Sequence, residues 1–419
     1  MSLREAAKAK GIFFGTALNT AHITGTASGD ADYRQIAEAQ YDLVTAENAC
    51  KWGETEPSQG DFNFDSCEIV RNFTTGQMKG TFRGHNLCWG NYNPAWLTKL
   101  NATEKRSALQ NHVEKVVTHF GDTAYGWDVV NEAVTDNGGA KDPLKSSDWY
   151  PDVPDYIDVA FKAARAAADA AGAKDLKLFY NDYNIASMSG FSATKSQRVY
   201  DLVAGMQKRG VPIDGVGLQL HVQIDYSDFD GVQKNMERLA ALGLEVHVTE
   251  LDVSTKGTSW SSALDEQQAQ VYVGLLKACL AVPACKSFET WGFTDASTWK
   301  GSNHYPLPFD AQYKPKAAAQ AMLDVLTGAP VPAPTPASPT PAPAPTPGRS
   351  YETLSKTCVN AVAMSDKLSV GSVAECLSKC DANDGCVAVD TDGSDCYLKS
   401  HCEGEPGACS GWCGHRVTP

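Results

Sequence analysis

Nowhere in its 419 residues does the chain carry a run of 18 apolar side chains, which excludes a bilayer-spanning helix. Basic residues are few and unclustered. The 36 lysines and arginines face 50 aspartates and glutamates, for a formal net charge of −14. That balance argues against nucleic acid and anionic lipid as partners and raises no objection to a neutral polymer. No G-x-G-x-x-G follows the first apolar run, so a doubly wound nucleotide-binding sheet is disfavoured. No Cys/His spacing fits zinc, and neither metal nor cofactor is implied. The opening Met1-Ser2-Leu3-Arg4-Glu5 lacks an apolar signal core, so the chain reads as a mature or trimmed secreted protein.

What is present is an ordinary globular composition, 42% hydrophobic and 21% charged, too rich in apolar residues for wholesale disorder. Eight of the 13 cysteines fall between Cys358 and Cys413, a density that reads as a disulfide framework made in an oxidising compartment. Asn72-Phe73-Thr74 and Asn101-Ala102-Thr103 are glycosylation sequons, a pattern that chance also produces.

Nine of the 19 residues in 329–347 are proline. Such a stretch fits neither helix nor sheet and predicts a polyproline II spacer, roughly 59 Å long at about 3.1 Å per residue. It divides the chain into a body, 1–328, a linker, 329–348, and a cysteine-rich tail, 349–419. In the body, eight short apolar runs alternate with helical patterns at 103–119, 154–171, 192–209, 229–242 and 265–281. In the first pattern Thr103 suits an N-cap, and Leu109, Val113, Val116, Val117 and Phe120 share a face. Eight strand–helix units over about 300 residues predict an α/β fold, a closed (β/α)8 TIM barrel.

Catalytic residues of such barrels gather where the strands end, and these ends are polar. Glu47 and Asn48 follow the second strand, His85 and Asn86 the third, Asn131 and Glu132 the fourth. Asn181 and Asp182 follow the fifth, Gln219 and His221 the sixth, Glu250 and Asp252 the seventh, and Trp291 the eighth. Turn and cap chemistry explains one such position but not seven of eight. Alternation puts Asp128, Val130 and Glu132 on one inward face. It likewise groups Val246 and Val248 with Glu250 and turns His247 to the helix layer as a structural residue. Strands four and seven are taken to lie on opposite sides of the barrel, so Glu132 and Glu250 face each other across its mouth. Facing carboxylates suit glycosidic cleavage: one protonates the leaving sugar, and the other attacks the anomeric carbon or activates water. Trp89, Trp291 and Trp299, on strand-end loops, either stack on sugar rings or pack beneath the loops.

Four ordered motifs, Glu47-Asn48-Ala49-Cys50-Lys51-Trp52, Trp127-Asp128-Val129-Val130-Asn131-Glu132-Ala133, Tyr180-Asn181-Asp182-Tyr183-Asn184 and Thr249-Glu250-Leu251-Asp252, resemble family 10 of the glycoside hydrolases, mostly endo-1,4-β-xylanases. The resemblance runs from about Leu3 to Leu326. It implies that Glu132 is the acid/base and Glu250 the nucleophile of a retaining mechanism. It also implies that Asn131 grips the 2-hydroxyl of the reacting sugar. His221 is placed beside the nucleophile, with Asp252 and Asp128 as its charged neighbours. Glu47, Asn48, Lys51, His85 and Trp89 match glycone-side residues, and Gln219, Trp291 and Trp299 match the central subsites. The loop Trp89-Gly90-Asn91-Tyr92-Asn93-Pro94 departs from the family: Tyr92 stands where a hydroxyl-binding Gln is usual, and Gly90 replaces a His.

The resemblance also implies a disulfide between Cys279 and Cys285. Cys50 and Cys67 can form a second, leaving Cys88 free and buried. In the tail, Cys376-Leu377-Ser378-Lys379-Cys380 with Cys386 and Cys396 loosely resembles PAN/apple modules, which bind carbohydrate or protein. Tyr351, Tyr397 and Trp412 serve there as either core or platform. The expected function is a secreted, monomeric, retaining endo-1,4-β-xylanase acting on xylan. The alternatives are cleavage of another β-linked oligosaccharide, such as a saponin glycan, and a carbohydrate-binding protein without catalysis.

Overall fold

The computed structural model describes residues 1–301 and 303–329, with six strand segments between Tyr351 and Val417. The chain divides into two compact units, Met1–Pro334 and Thr335–Pro419.

The first unit is built on β1 (Phe13–Leu18), β2 (Leu43–Ala46), β3 (Thr81–His85), β4 (Ala124–Asn131), β5 (Lys177–Asp182), β6 (Gly215–Leu218), the short β7 (His221–Gln223), β8 (Glu245–Ser254) and β9 (Cys285–Thr290). Their order is β6-β5-β4-β3-β2-β1-β9-β8, and β6 also pairs with β8. Eight parallel strands therefore close into a ring, and β7 adds only to the far end of β8 through His221 and Asp252. Nearly every strand residue is buried, as expected of a parallel sheet lined by helices outside and packed within. Between β4 and β8 the short way round lie only β5 and β6, so these strands are not diametrically opposed.

The helices sit close to their sequence patterns: Ala102–Phe120, Tyr156–Ala170, Ala193–Lys208, Phe229–Ala240 and Ser262–Ala281. In the first, Leu109, Val113, Val116, Val117 and Phe120 are all buried, each stabilising the fold by about 1.5–3 kcal/mol. The N-cap is Asn101, not Thr103. Asn101 Oδ1 accepts from the Thr103 and Glu104 amides at 3.0 and 3.1 Å, and Glu104 Oε2 accepts from Asn101 N at 2.9 Å. This reciprocal box satisfies donors that Thr103, two positions further in, would leave open.

Strict alternation fails in the two strands that matter most. β4 slips register against β5 between Asp128 and Val130. β8 slips against β9 between Val246 and His247, and again between Val248 and Leu251. Such bulges insert a residue and re-aim the side chains beyond it. Asp128 and Asn131, three apart, both face inward, whereas alternation groups Asp128 with Val130 and Glu132. His247 likewise faces the interior, not the helix layer: its Nδ1 is 2.9 Å from Arg83 Nη1. Arg83 on β3 also binds Asp128 on β4, with Nη2 2.5 Å from Oδ1, and lies 3.9 Å from Glu289 on β9. Side chains from β3, β4, β8 and β9 meet only inside the ring. A guanidinium only donates, so His247 Nδ1 accepts and its proton sits on Nε2, 3.4 Å from Glu245 Oε2. On the outer side, Gly84 has no room for a side chain, because a Cβ there would come within 2.2 Å of the Trp127 indole.

Disulfides join Cys279 to Cys285 and Cys50 to Cys67, and Cys88 is free and buried. Among the described residues no helix is long and apolar enough to cross a membrane.

The second unit contains an antiparallel sheet. Tyr351–Leu354 pairs with Cys413–Val417, that strand with Ala388–Thr391, and that with Asp395–His401, which also takes Val362–Ala363 and Leu368–Ser369. The polyproline spacer, the pairing of the tail cysteines and the side chains of Tyr351, Tyr397 and Trp412 lie outside the described residues and groups.

Candidate active site

Where β4 ends, Glu132 takes φ of 56°, a left-handed conformation uncommon for a glutamate. Its N–H is held by Asn181 O at 2.8 Å. Tyr92 and Leu220, also at the strand ends, share this conformation with φ of 56° and 58°. Such backbone strain clusters at functional sites. Glu132 Oε2 accepts from the Trp89 indole at 3.0 Å, and Oε1 from Gln219 Nε2 at 3.1 Å. Burial and the neighbouring Asp182 push its carboxyl above the usual range. Gln219 and Lys145 pull the other way, and Glu250 adds to the rise. This environment favours a carboxylic acid able to give up a proton.

Glu250, on β8, is buried. Its Oε1 accepts from Asn181 Nδ2 at 2.7 Å, and Oε2 lies 3.2 Å from His221 Nε2. His221 Nδ1 is 2.7 Å from Asp252 Oδ2. Burial works against a charged imidazole, but Asp252 and Glu250 outweigh it and hold His221 protonated up to about 9. Both ring nitrogens then donate, one to each carboxylate. Asp128 is not part of this group. Its partners are Arg83 and His85, the latter at 2.9 Å, and they outweigh burial to keep Asp128 below the ordinary range.

Three amides connect the glutamates. Gln219 Nε2 donates to both Glu132 and Asn131 Oδ1, the latter at 3.2 Å, and Asn181 Nδ2 donates to Asn131 Oδ1 at 3.0 Å and to Glu250. Thr249 Oγ1 fixes the other end of Asn181 at 2.7 Å. Sequence reasoning puts Asn181 at a strand end and assigns it no part, though its motif signals it. Lys145, 3.7 Å from Glu132 Oε2, escapes such reasoning altogether, because it arrives on a long loop after β4.

The remaining residues surround this pair. Lys51 is buried, donates to Asn48 Oδ1 at 2.6 Å, and lies 5.1 Å above the Trp89 ring and 4.4 Å above Tyr92. Burial lowers its pKa, against the pull of Glu250, Glu47 and Glu132. Tyr92 stacks on Trp89 with planes 8° apart and is 59% exposed. Glu47 accepts from Asn19 at 3.1 Å. Trp291 packs edge-on against His85 at 5.2 Å. Trp299 donates to Asp252 at 2.8 Å yet stays 54% exposed.

A (β/α)8 barrel with two carboxylates and exposed aromatic rings at its C-terminal strand ends has the architecture of a glycoside hydrolase. The chain belongs to glycosyl hydrolase family 10, which it matches over residues 2–325. It is 35% identical over 288 residues to endo-1,4-beta-xylanase B of Neocallimastix patriciarum, covering 68% of this chain and 32% of that protein. It thus spans about a third of that relative's length. It is 33% identical over 305 residues to endo-1,4-beta-xylanase B of Thermotoga neapolitana, covering 70% and 83% of the two chains. Xylanase 10B from Thermotoga petrophila, solved in complex with xylobiose, superposes with a TM-score of 0.72 at 32% identity, covering 78% of this chain and 98% of that one.

Proposed function

We propose that the chain is a secreted, monomeric, retaining endo-1,4-β-xylanase. Glu250 attacks the anomeric carbon as the bond to the leaving sugar oxygen breaks, and Glu132 gives that oxygen its proton. Glu132 then takes a proton from water, whose oxygen attacks the same carbon and frees Glu250. The observation that carries this reading is the amide chain Gln219–Asn131–Asn181, which ties Glu132 to Glu250 by hydrogen bonds of 2.7–3.2 Å. Asn131 holds the 2-hydroxyl, and His221, kept cationic by Asp252, steadies the charge on Glu250. Asp128 acts by orienting His85. Glu47, Asn48, Lys51, His85, Trp89 and Tyr92 form the glycone side, with Gln219, Trp291 and Trp299 around the central subsites. Residues 1–328 form the catalytic domain, 329–348 the linker, and 349–419 a module that binds carbohydrate or protein. Reducing-sugar release from xylan, abolished in Glu250→Ala, supports the assignment; undiminished release by that variant rejects it.

One observation favours a second substrate class. Tyr92 brings an exposed ring, and a single hydroxyl, to a place where the family usually has an amide. A related β-linked oligosaccharide, such as a saponin glycan, is the alternative. Rates on xylan, mixed-linkage glucan and α-tomatine separate the two. Either activity removes the reading of a carbohydrate-binding protein without catalysis.

A further inference from the structure

Lys145 belongs to none of the motifs that carry the family resemblance. Among the described residues, however, it alone forms an ion pair with Glu132. The loop that brings it doubles back on itself. Val134 and Leu144 form an antiparallel bridge, and Lys145 N donates to Ala133 O at 2.8 Å, returning the chain to the residue after Glu132. Lys145 Nζ donates to Tyr183 Oη at 3.1 Å and lies 4.4 Å from the centre of that ring. Tyr183 Oη donates in turn to Asp136 Oδ2 at 2.5 Å. The direction is forced, since an ammonium only donates and a carboxylate only accepts. Asp136 is itself held by Lys195 and Asn184, each at 3.2 Å, and Lys195 also pairs with Asp182 at 2.8 Å. The Lys145 side chain is 27% exposed, so it is an anchored cation rather than a solvated one.

We propose that Lys145 is a positioning residue for Glu132, whose charge favours the ionised carboxylate that the second half of the reaction needs. The inference rests on the acid/base assignment of Glu132. The groups facing Glu132 divide in two. Burial, Asp182 on β5 and Glu250 on β8 favour its neutral form, and Tyr183 sits nearby. Lys145 on the loop after β4 and Lys51 on the loop after β2 favour the charged form, with Gln219 and Trp89 donating neutral hydrogen bonds. This balance suits proton donation in the first step. In the covalent intermediate Glu250 is an ester and its charge is gone. One of the groups that keeps Glu132 protonated has then been removed, and Lys145 draws the carboxyl to its base form.

The test compares the parent chain, Lys145→Met and Lys145→Arg. On an aryl xylobioside with a good leaving group, breakdown of the intermediate limits kcat, and the acidic limb of its pH profile reports ionisation of Glu132. Removing the cation raises the pH at which that occurs. Lys145→Met is expected to move the limb up by about one pH unit, a loss of about tenfold in kcat below the optimum. Lys145→Arg stays near the parent. On xylan the basic limb of kcat/KM moves up in the same sense, because the acid keeps its proton longer. Limbs that stay in place in a folded Lys145→Met overturn the proposal, as does an equal shift in Lys145→Arg, where the charge is kept. Lys145→Gln serves the same comparison if the methionine variant folds poorly. Failure of the underlying assignment shows separately: Glu132→Ala would then cleave xylan at the parental rate, whatever Lys145 does.

Discussion

Tyr92 and His221 each carry a prediction, the first on substrate choice and the second on the pH dependence of stability. Tyr92→Gln exchanges a stacked, exposed ring for an amide with both donor and acceptor. Losing or gaining one sugar hydrogen bond is worth about 0.5–1.5 kcal/mol, so relative kcat/KM between substrates is expected to change about two- to tenfold. The measurement covers xylo-oligosaccharides of increasing length and one non-xylan substrate. A uniform factor for all of them places Tyr92 off the glycone side. His221 predicts a pH dependence of stability. In the folded chain it keeps its proton up to about 9, against an ordinary value of 6.5. Its stabilising contribution is therefore full below about 6.5 and is lost as pH rises through about 9. Urea denaturation of parent and His221→Asn should differ most at low pH and converge above about 9. A gap that widens with rising pH contradicts the cationic imidazole.

At the scale of the element, the decisive feature is the pair of bulged strands, β4 and β8. Replacing His247 by leucine tests where that side chain points. Facing Arg83, it leaves a buried guanidinium N–H without its acceptor, a loss of about 1–3 kcal/mol on denaturation; facing the helix layer, leucine would be neutral or better. At the start of the helix Ala102–Phe120, Asn101→Ala should cost about 1 kcal/mol, and Thr103→Ala much less. The reverse order restores Thr103 as the cap. These elements also mark how far the sequence is legible. The eight strand–helix units and their polar ends are readable from apolar periodicity, because a parallel barrel buries both faces of every strand. In the sequence Glu132, Glu250 and Asn131 stand out because they sit in contiguous motifs, and His221 because it follows the sixth apolar run. A bulge leaves no local mark, so alternation misplaces the inward turn of His247 and groups Asp128 with Val130 rather than with Asn131. Lys145 is invisible for another reason: its approach to Glu132 depends on the bridge between Val134 and Leu144, which joins residues ten apart through a loop without periodicity.

For the whole molecule, all the assigned residues lie before the proline-rich stretch, whose composition favours no fixed interface. Residues 1–328 are expected to fold and to cleave soluble xylo-oligosaccharide with kcat within about twofold of the full chain, and with a similar melting temperature. Large losses in both would tie the tail to the barrel. The central claim is that two glutamates divide the reaction, and rapid mixing with a dinitrophenyl xylobioside tests it most directly. Because that leaving group needs no proton, Glu132→Ala should still release a burst of phenol as the glycosyl-enzyme forms and then turn over slowly. Glu250→Ala should give no burst. Equal impairment of the two variants in that first phase would contradict the account.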